Sequence, residues 1–176
     1  LGGRTLRPAL TFSTTASQII ISAADVEMRN FQFKNAIDSL VAGVSIDAAG
    51  CVIANCAFTS PTATNDALIW VITSANADDL VFMDNDIRGN NAGPTEAIRL
   101  VGVNRGKIIR NFITGSYSTA NINGITTIST ELLITNNVLT NTVTDALVID
   151  LVASCTGRIE HNNGSVVSTA GITDAA

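Results

Sequence analysis

The chain has 176 residues, 46% of them hydrophobic and only 14% charged, a length and composition suited to one domain with a sizeable core. A net charge of −5 and a pI near 4.6 provide no basic face for phosphates, which excludes a nucleic-acid partner. The longest apolar run, 67–72, has six residues, far short of the roughly 18 to 20 that span a bilayer, which excludes membrane insertion.

Ala, Ile, Val, Thr, Asn and Gly dominate and aromatics make up 5%, a mixture for many short strands and tight turns. The first residues, 1–17, read as an irregular lead-in. They begin at Leu1 without the basic and then apolar segment of a signal peptide, as expected of a piece of a longer protein. From residue 18 to 176 the chain repeats itself. Six gapless segments align: Met28-Arg-Asn-Phe-Gln-Phe33, Ile53-Ala-Asn-Cys-Ala-Phe58, Phe82-Met-Asp-Asn-Asp-Ile87, Ile108-Ile-Arg-Asn-Phe-Ile113, Ile134-Thr-Asn-Asn-Val-Leu139 and Ile159-Glu-His-Asn-Asn-Gly164. Their starts are 25, 29, 26, 26 and 25 residues apart, a period that marks a solenoid of stacked coils.

A second strand series runs in phase: Gly43-Val-Ser-Ile46, Ala67-Leu-Ile-Trp70, Ala97-Ile-Arg-Leu100, Gly124-Ile-Thr-Thr127, Ala146-Leu-Val-Ile149 and Gly171-Ile-Thr-Asp174. Two phased strand series exclude a helical solenoid. A third, shorter element is expected between them. The coils should therefore stack two inward columns: Met28, Ile53, Phe82, Ile108, Ile134 and Ile159 in one, and Val44, Leu68, Ile98, Ile125 and Leu147 in the other.

Within the first motif the fourth column holds Phe31, Cys56, Asn85, Asn111, Asn137 and Asn162. A column that accepts Phe and Cys points inward, and amides stacked about 4.8 Å apart there can bond from coil to coil. The third column, with Asn30, Asn55, Asp84, Arg110, Asn136 and His161, suits a left-handed bend. Cys51, Cys56 and Cys155 show no metal-like spacing, and the first two are too far apart along an extended stretch for a disulfide. They read as core residues.

The repeated apolar-x-Asn-Asn-x-apolar signature, over roughly residues 18 to 173, resembles the right-handed parallel β-helix proteins of the pectate-lyase-like superfamily. With its Ala, Thr and Ser loops, it looks most like the β-helices of tailed-bacteriophage virion proteins. The expected fold is all-β: a right-handed single-stranded parallel β-helix of about six coils with an internal asparagine ladder. One fold of this kind serves lyases, hydrolases, adhesins and spikes, so the resemblance leaves the activity open.

Four residues precede the second strands: Asp66, Glu96, Asn123 and Asp145. In register, Asp66 and Glu96 would lie on adjacent rungs, near the roughly 5 to 5.5 Å that a retaining glycosidase places between its carboxylates. The same positions are also where a bend residue bonds a loose backbone N–H, and that structural reading takes precedence. The superfamily's lyases imply a Ca²⁺ site, for which Asp78, Asp79, Asp84 and Asp86 are the candidate ligands; no Arg or Lys column is expected beside them, and a solvated surface is the preferred reading. His161 reads as a turn residue, Trp70 has inward parity and Tyr117 stands alone, so no sugar-stacking groove is expected. No cofactor is implied.

Arg99 is read as sharing an outward column with Ser45, Ile69, Thr126 and Val148, and the next holds Asp47, Val71, Val101, Ile128 and Asp150. Such mixed columns point either to a face covered by a same-chain flank or by a neighbouring subunit, as in a homo-oligomer, a trimer, or contact with other virion proteins, or to ordinary exposed β-branched residues, which suit strands anyway. The resulting expectation is a structural segment of a head fibre, decoration protein or tail spike, located in the virion after assembly in the host cytoplasm. The alternatives are a polysaccharide lyase or glycoside hydrolase, or an adhesin module for surface polysaccharide, secreted or at a cell surface.

Overall fold

The computed structural model describes residues 7–60, 65–89, 93–124, 126–144 and 146–164, together with the backbone of 173–174. Three short strands recur in every turn of the chain. The first turn holds β1 (Ala9–Phe12), β2 (Ile19–Ile21) and β3 (Glu27–Arg29); the next, β4 (Gln32–Asn35), β5 (Val44–Ile46) and β6 (Val52–Ala54). Then follow β7 (Ala57–Thr59), β8 (Ile69–Thr73) and β9 (Val81–Met83), and β10 (Asp86–Arg88), β11 (Glu96–Arg99) and β12 (Lys107–Ile109). The last turns hold β13 (Phe112–Gly115), β14 (Ala120–Gly124) and β15 (Leu132–Thr135), then β16 (Val138–Asn141), β17 (Leu147–Leu151) and β18 (Thr156–Glu160), and finally β19 (Asn163–Gly164) and β20 (Thr173–Asp174).

Every third strand pairs in parallel with its counterpart one turn on, giving sheet A from β1 to β19, sheet B from β2 to β17 and sheet C from β3 to β20. The chain is thus a parallel β-helix of about six turns. The strands are short because a residue that leaves the extended region interrupts each turn at fixed places. Between sheets C and A stand Asn30, Asn55, Asp84, Arg110, Asn136 and His161, all with φ between 52° and 65°, the left-handed bend expected of that column. The motif read as one strand is therefore two strands with a corner between them, and the third element lies inside the motif.

A second left-handed column, which the sequence reading misses, forms the corner between sheets B and C: Asp25, Gly50, Asp79, Arg105 and Glu131, with φ from 53° to 70°. For Arg and Glu this conformation is unfavourable on its own. Backbone bonds across coils hold it in place, among them Asp79 N–H to Asn104 O and Arg105 N–H to Thr130 O, both 2.9 Å.

The first inward column is as expected. Ile53, Phe82, Ile108 and Ile134 are buried, opposite one another in register, with Met28 and Ile159 half-buried at its ends. The second column differs. The register runs Ile19, Val44, Val71, Ile98, Ile122 and Ile149, so Leu68 and Leu147 are displaced from it and Ile125 lies outside the described residues. Strand β8 is buried at four of its five positions, and a near-continuous apolar run fits a small-apolar-x-apolar motif in more than one frame. Two further expectations fail. Part of the 1–17 lead-in is strand β1, paired with β4, and Thr173–Asp174 join sheet C opposite Thr156–Gly157 instead of starting a sixth second-series strand; Gly171 and Ile172 lie outside the described residues.

The fourth column is a ladder of amides. Asn85 Oδ1 accepts the Cys56 N–H at 2.8 Å; Asn111 Oδ1 accepts both the N–H and Nδ2 of Asn85, at 3.0 and 3.1 Å. Asn137 does the same for Asn111, and Asn162 for Asn137, at 2.9 to 3.0 Å. Each Nδ2 also donates to a backbone carbonyl, Ile53, Phe82, Ile108 and Ile134 in turn. Asn85, Asn111 and Asn137 are buried without cost because both amide atoms are bonded. Phe31 and Cys56 take the same column in the first coils, where the neighbouring column is an aromatic stack: Phe33 lies 6.4 Å from Phe12 and 4.7 Å from Phe58, and Phe58 meets Trp70 edge-on at 5.8 Å.

Candidate functional site

Register decides which candidate acids meet. Glu96 stands opposite Ile69, three residues on from Asp66, so the two carboxylates are not on facing rungs. Asp66 is buried in the loop before β8, its carboxylate packed against Gly93 where a side chain would have no room. Glu96 opens β11 with its side chain only 3% exposed. Arg99, three residues further on, donates from Nε at 2.6 Å and from Nη2 at 2.9 Å, and Asn123 Nδ2 adds a bond at 2.7 Å. A buried carboxylate needs such partners, and in return the hydrogen bonds it accepts from Arg99, aided by its charge, raise the Arg99 pKa. Asn123 sits within β14 and not ahead of it; Asp145 lies outside the described residues.

The four candidate metal ligands are dispersed in the same way. Asp79 pairs with Arg105 at 2.7 Å, Asp84 with Arg110 at 2.8 Å and Asp86 with Arg88 at 2.9 Å. Asp78 Oδ1 accepts the Asn104 N–H at 2.9 Å. The expectation that no basic column accompanies these acids is therefore wrong. Asp79 and Arg105 occupy one left-handed column and Asp84 and Arg110 the other, each pair 26 residues apart in sequence. These bonds hold the Asp79 and Asp84 carboxyls below the usual carboxylate range. Among the described residues no group of three His, Cys, Asp or Glu is placed to hold a metal ion.

The remaining candidates follow the structural reading. His161 is an exposed corner residue. Trp70 and Tyr117 are fully buried, Tyr117 with its hydroxyl 3.4 Å from Thr114 O and its pKa raised by desolvation. All three cysteines are free and buried. The mixed outward columns read for the second strand series do not form an apolar stripe on sheet B: Ile69, Val71 and Val148 belong to the core, leaving half-buried Val101 and exposed Ile128. The outward column is Ile20, Ser45, Ile72, Arg99, Asn123 and Asp150. Exposed apolar neighbours occur instead on sheet A, where Phe112 stands opposite Val138 and the Arg88 guanidinium lies 5.3 Å from the Phe112 ring centre.

Coil-to-coil polar contacts extend beyond the ladder. Asn104 bonds Asp78 and accepts from Thr130 Oγ1 at 2.5 Å, and Val103 N–H reaches Ser129 Oγ at 3.1 Å. The only signal for these in the sequence is the 26-residue spacing of polar residues outside the aligned motif. Among the described residues no helix is long and apolar enough to cross a membrane. Comparisons with protein-family models, with curated proteins and with solved structures find no match. The class that the fold defines is a parallel β-solenoid.

Proposed function

We propose that the chain is a structural, non-catalytic β-helix segment of a bacteriophage virion protein, of head-fibre, decoration or tail-spike type, on a pectate-lyase-like solenoid. The supporting observation is where the acids go. Asp79, Asp84, Asp86 and Glu96 each bind an arginine of the solenoid itself, and Asp78 binds Asn104. General acid–base catalysis requires a carboxylate positioned to reach substrate; here these groups are engaged in joining or bracing coils. Assembly as a homotrimer belongs to the same reading, with Phe112 and Val138 on sheet A as its contact residues in place of the sheet B stripe.

The experiment is incubation of the protein with bacterial surface polysaccharides, alongside Asp66→Asn and Glu96→Gln variants, with chain length and bound glycan measured together. Neither cleavage nor binding is expected, and light scattering should give three times the chain mass. Cleavage lost in either variant would replace the proposal with a lyase or hydrolase. Binding without cleavage would make the segment an adhesin module, and a monomeric mass would remove the trimer.

A further inference from the structure

The sequence contains two Asn-Gly pairs, Asn123–Gly124 and Asn163–Gly164, and the fold places them in opposite circumstances. Asn-Gly is the dipeptide in which a backbone nitrogen most readily reaches the preceding side-chain amide, because glycine presents no side chain to obstruct the approach. Asn123 is buried in β14, an interior strand of sheet B, with Nδ2 held by Glu96 at 2.7 Å. Gly124 turns its backbone polar groups to β17, its carbonyl accepting the Val152 N–H at 3.1 Å. Attack there would require the strand to leave the sheet.

Asn163 and Gly164 are both exposed, in β19, where sheet A ends among the described residues. Asn163 gives its N–H to Asn137 O at 2.8 Å. In a parallel strand the backbone groups of successive residues face opposite sides, so the Gly164 N–H faces away from β16, the strand it pairs with among the described residues. The Gly164 nitrogen thus takes no part in the β16–β19 pairing, and the amide it attacks is at the surface.

From this contrast we infer that Asn163 is a deamidation site of the folded protein and Asn123 is not. The Gly164 nitrogen gives up its proton to hydroxide and bonds to Asn163 Cγ; the Cγ–Nδ2 bond breaks and ammonia leaves with the proton returned from water. Water then opens the cyclic imide at one carbonyl or the other, leaving aspartate or isoaspartate, with nothing oxidised or reduced. The product carries a new carboxylate beside Asn162, the last rung of the amide ladder, and the isoaspartate form adds a backbone methylene at that point.

The test is to age the protein in mildly alkaline buffer, in its folded state and in urea, and to measure each site by peptide mass spectrometry with enzymatic detection of isoaspartate. In the folded protein Asn163 should convert faster than Asn123 by about an order of magnitude or more, since reaction at Asn123 waits on local opening; in urea the two rates should converge. An Asn163→Gln variant should lose most of the folded-state conversion. Equal rates in the folded protein, or conversion of Asn123 with Asn163 intact, would overturn the inference.

Discussion

The first coils and the later ones solve one packing problem with different chemistry. In the first, the inward fourth column is Phe31 and Cys56, backed by the rings of Phe12, Phe33 and Phe58. In the later coils the column is asparagine and the residues behind it are Ile87, Ile113 and Leu139. Ring stacking tolerates small slips between coils, because dispersion and burial have little directional preference. An amide that must meet an N–H and a carbonyl on defined neighbours does not. The ladder therefore fixes register where the aromatic stack mainly supplies buried area.

The variant expected to cost most is Asn111→Leu. It removes the acceptor of both the N–H and Nδ2 of Asn85, at about 1 to 3 kcal/mol for each stranded donor. Urea melts should show the loss together with a lower m-value, the sign of a locally loosened native state; a variant as stable as the parent would mean that the amides are not mutually dependent. Phe58→Ala tests the aromatic half. It empties a site lined by Phe33, Trp70 and Phe82 and should cost about 3 to 5 kcal/mol, here with an unchanged m-value because register is kept.

Glu96→Ala should cost less, about 1 to 3 kcal/mol for the partners it strands, because Arg99 is one-third exposed and can turn to water. Hydrogen exchange should report the loss in β11 and β14 without spreading to the ladder. The smallest effect belongs to the surface ion pairs. Asp79 and Asp84 have folded pKa values below their unfolded ones, so their contribution is present above the unfolded carboxylate pKa, about 3.9, and is lost as pH falls through the folded value. An Asp79→Asn, Asp84→Asn double variant should match the parent's Tm in strong acid and fall slightly below it near neutrality.

How much of this was legible in the sequence depended on whether a position admits one residue type or several. The corner at Asn30, Asn55 and Asn136 shows itself because left-handed backbone selects asparagine, and the inward column because Asn85, Asn111 and Asn137 repeat at a fixed spacing. The second corner was hidden: Asp25, Gly50, Asp79, Arg105 and Glu131 share a backbone conformation and no side-chain chemistry. The frame of sheet B was hidden for a different reason, since β8 is apolar at four consecutive positions, Ile69 to Ile72, and its neighbours in register are found only once the loop before it has been closed. The candidate pair Asp66 and Glu96 depended on that frame and separates when it is corrected.

The amide ladder also has a direction. Each asparagine Oδ1 accepts from the preceding coil, and the backbone N–H groups of Cys56, Asn85, Asn111 and Asn137 donate to the following one. A whole coil carrying one asparagine can therefore be inserted or removed between two others and leave the same donor meeting the same acceptor. The gene can lengthen or shorten the rod in whole-turn increments, each adding about 4.8 Å of height, whereas a change of a few residues within a turn has to be absorbed in a loop, as the 29-residue turn between Ile53 and Phe82 does.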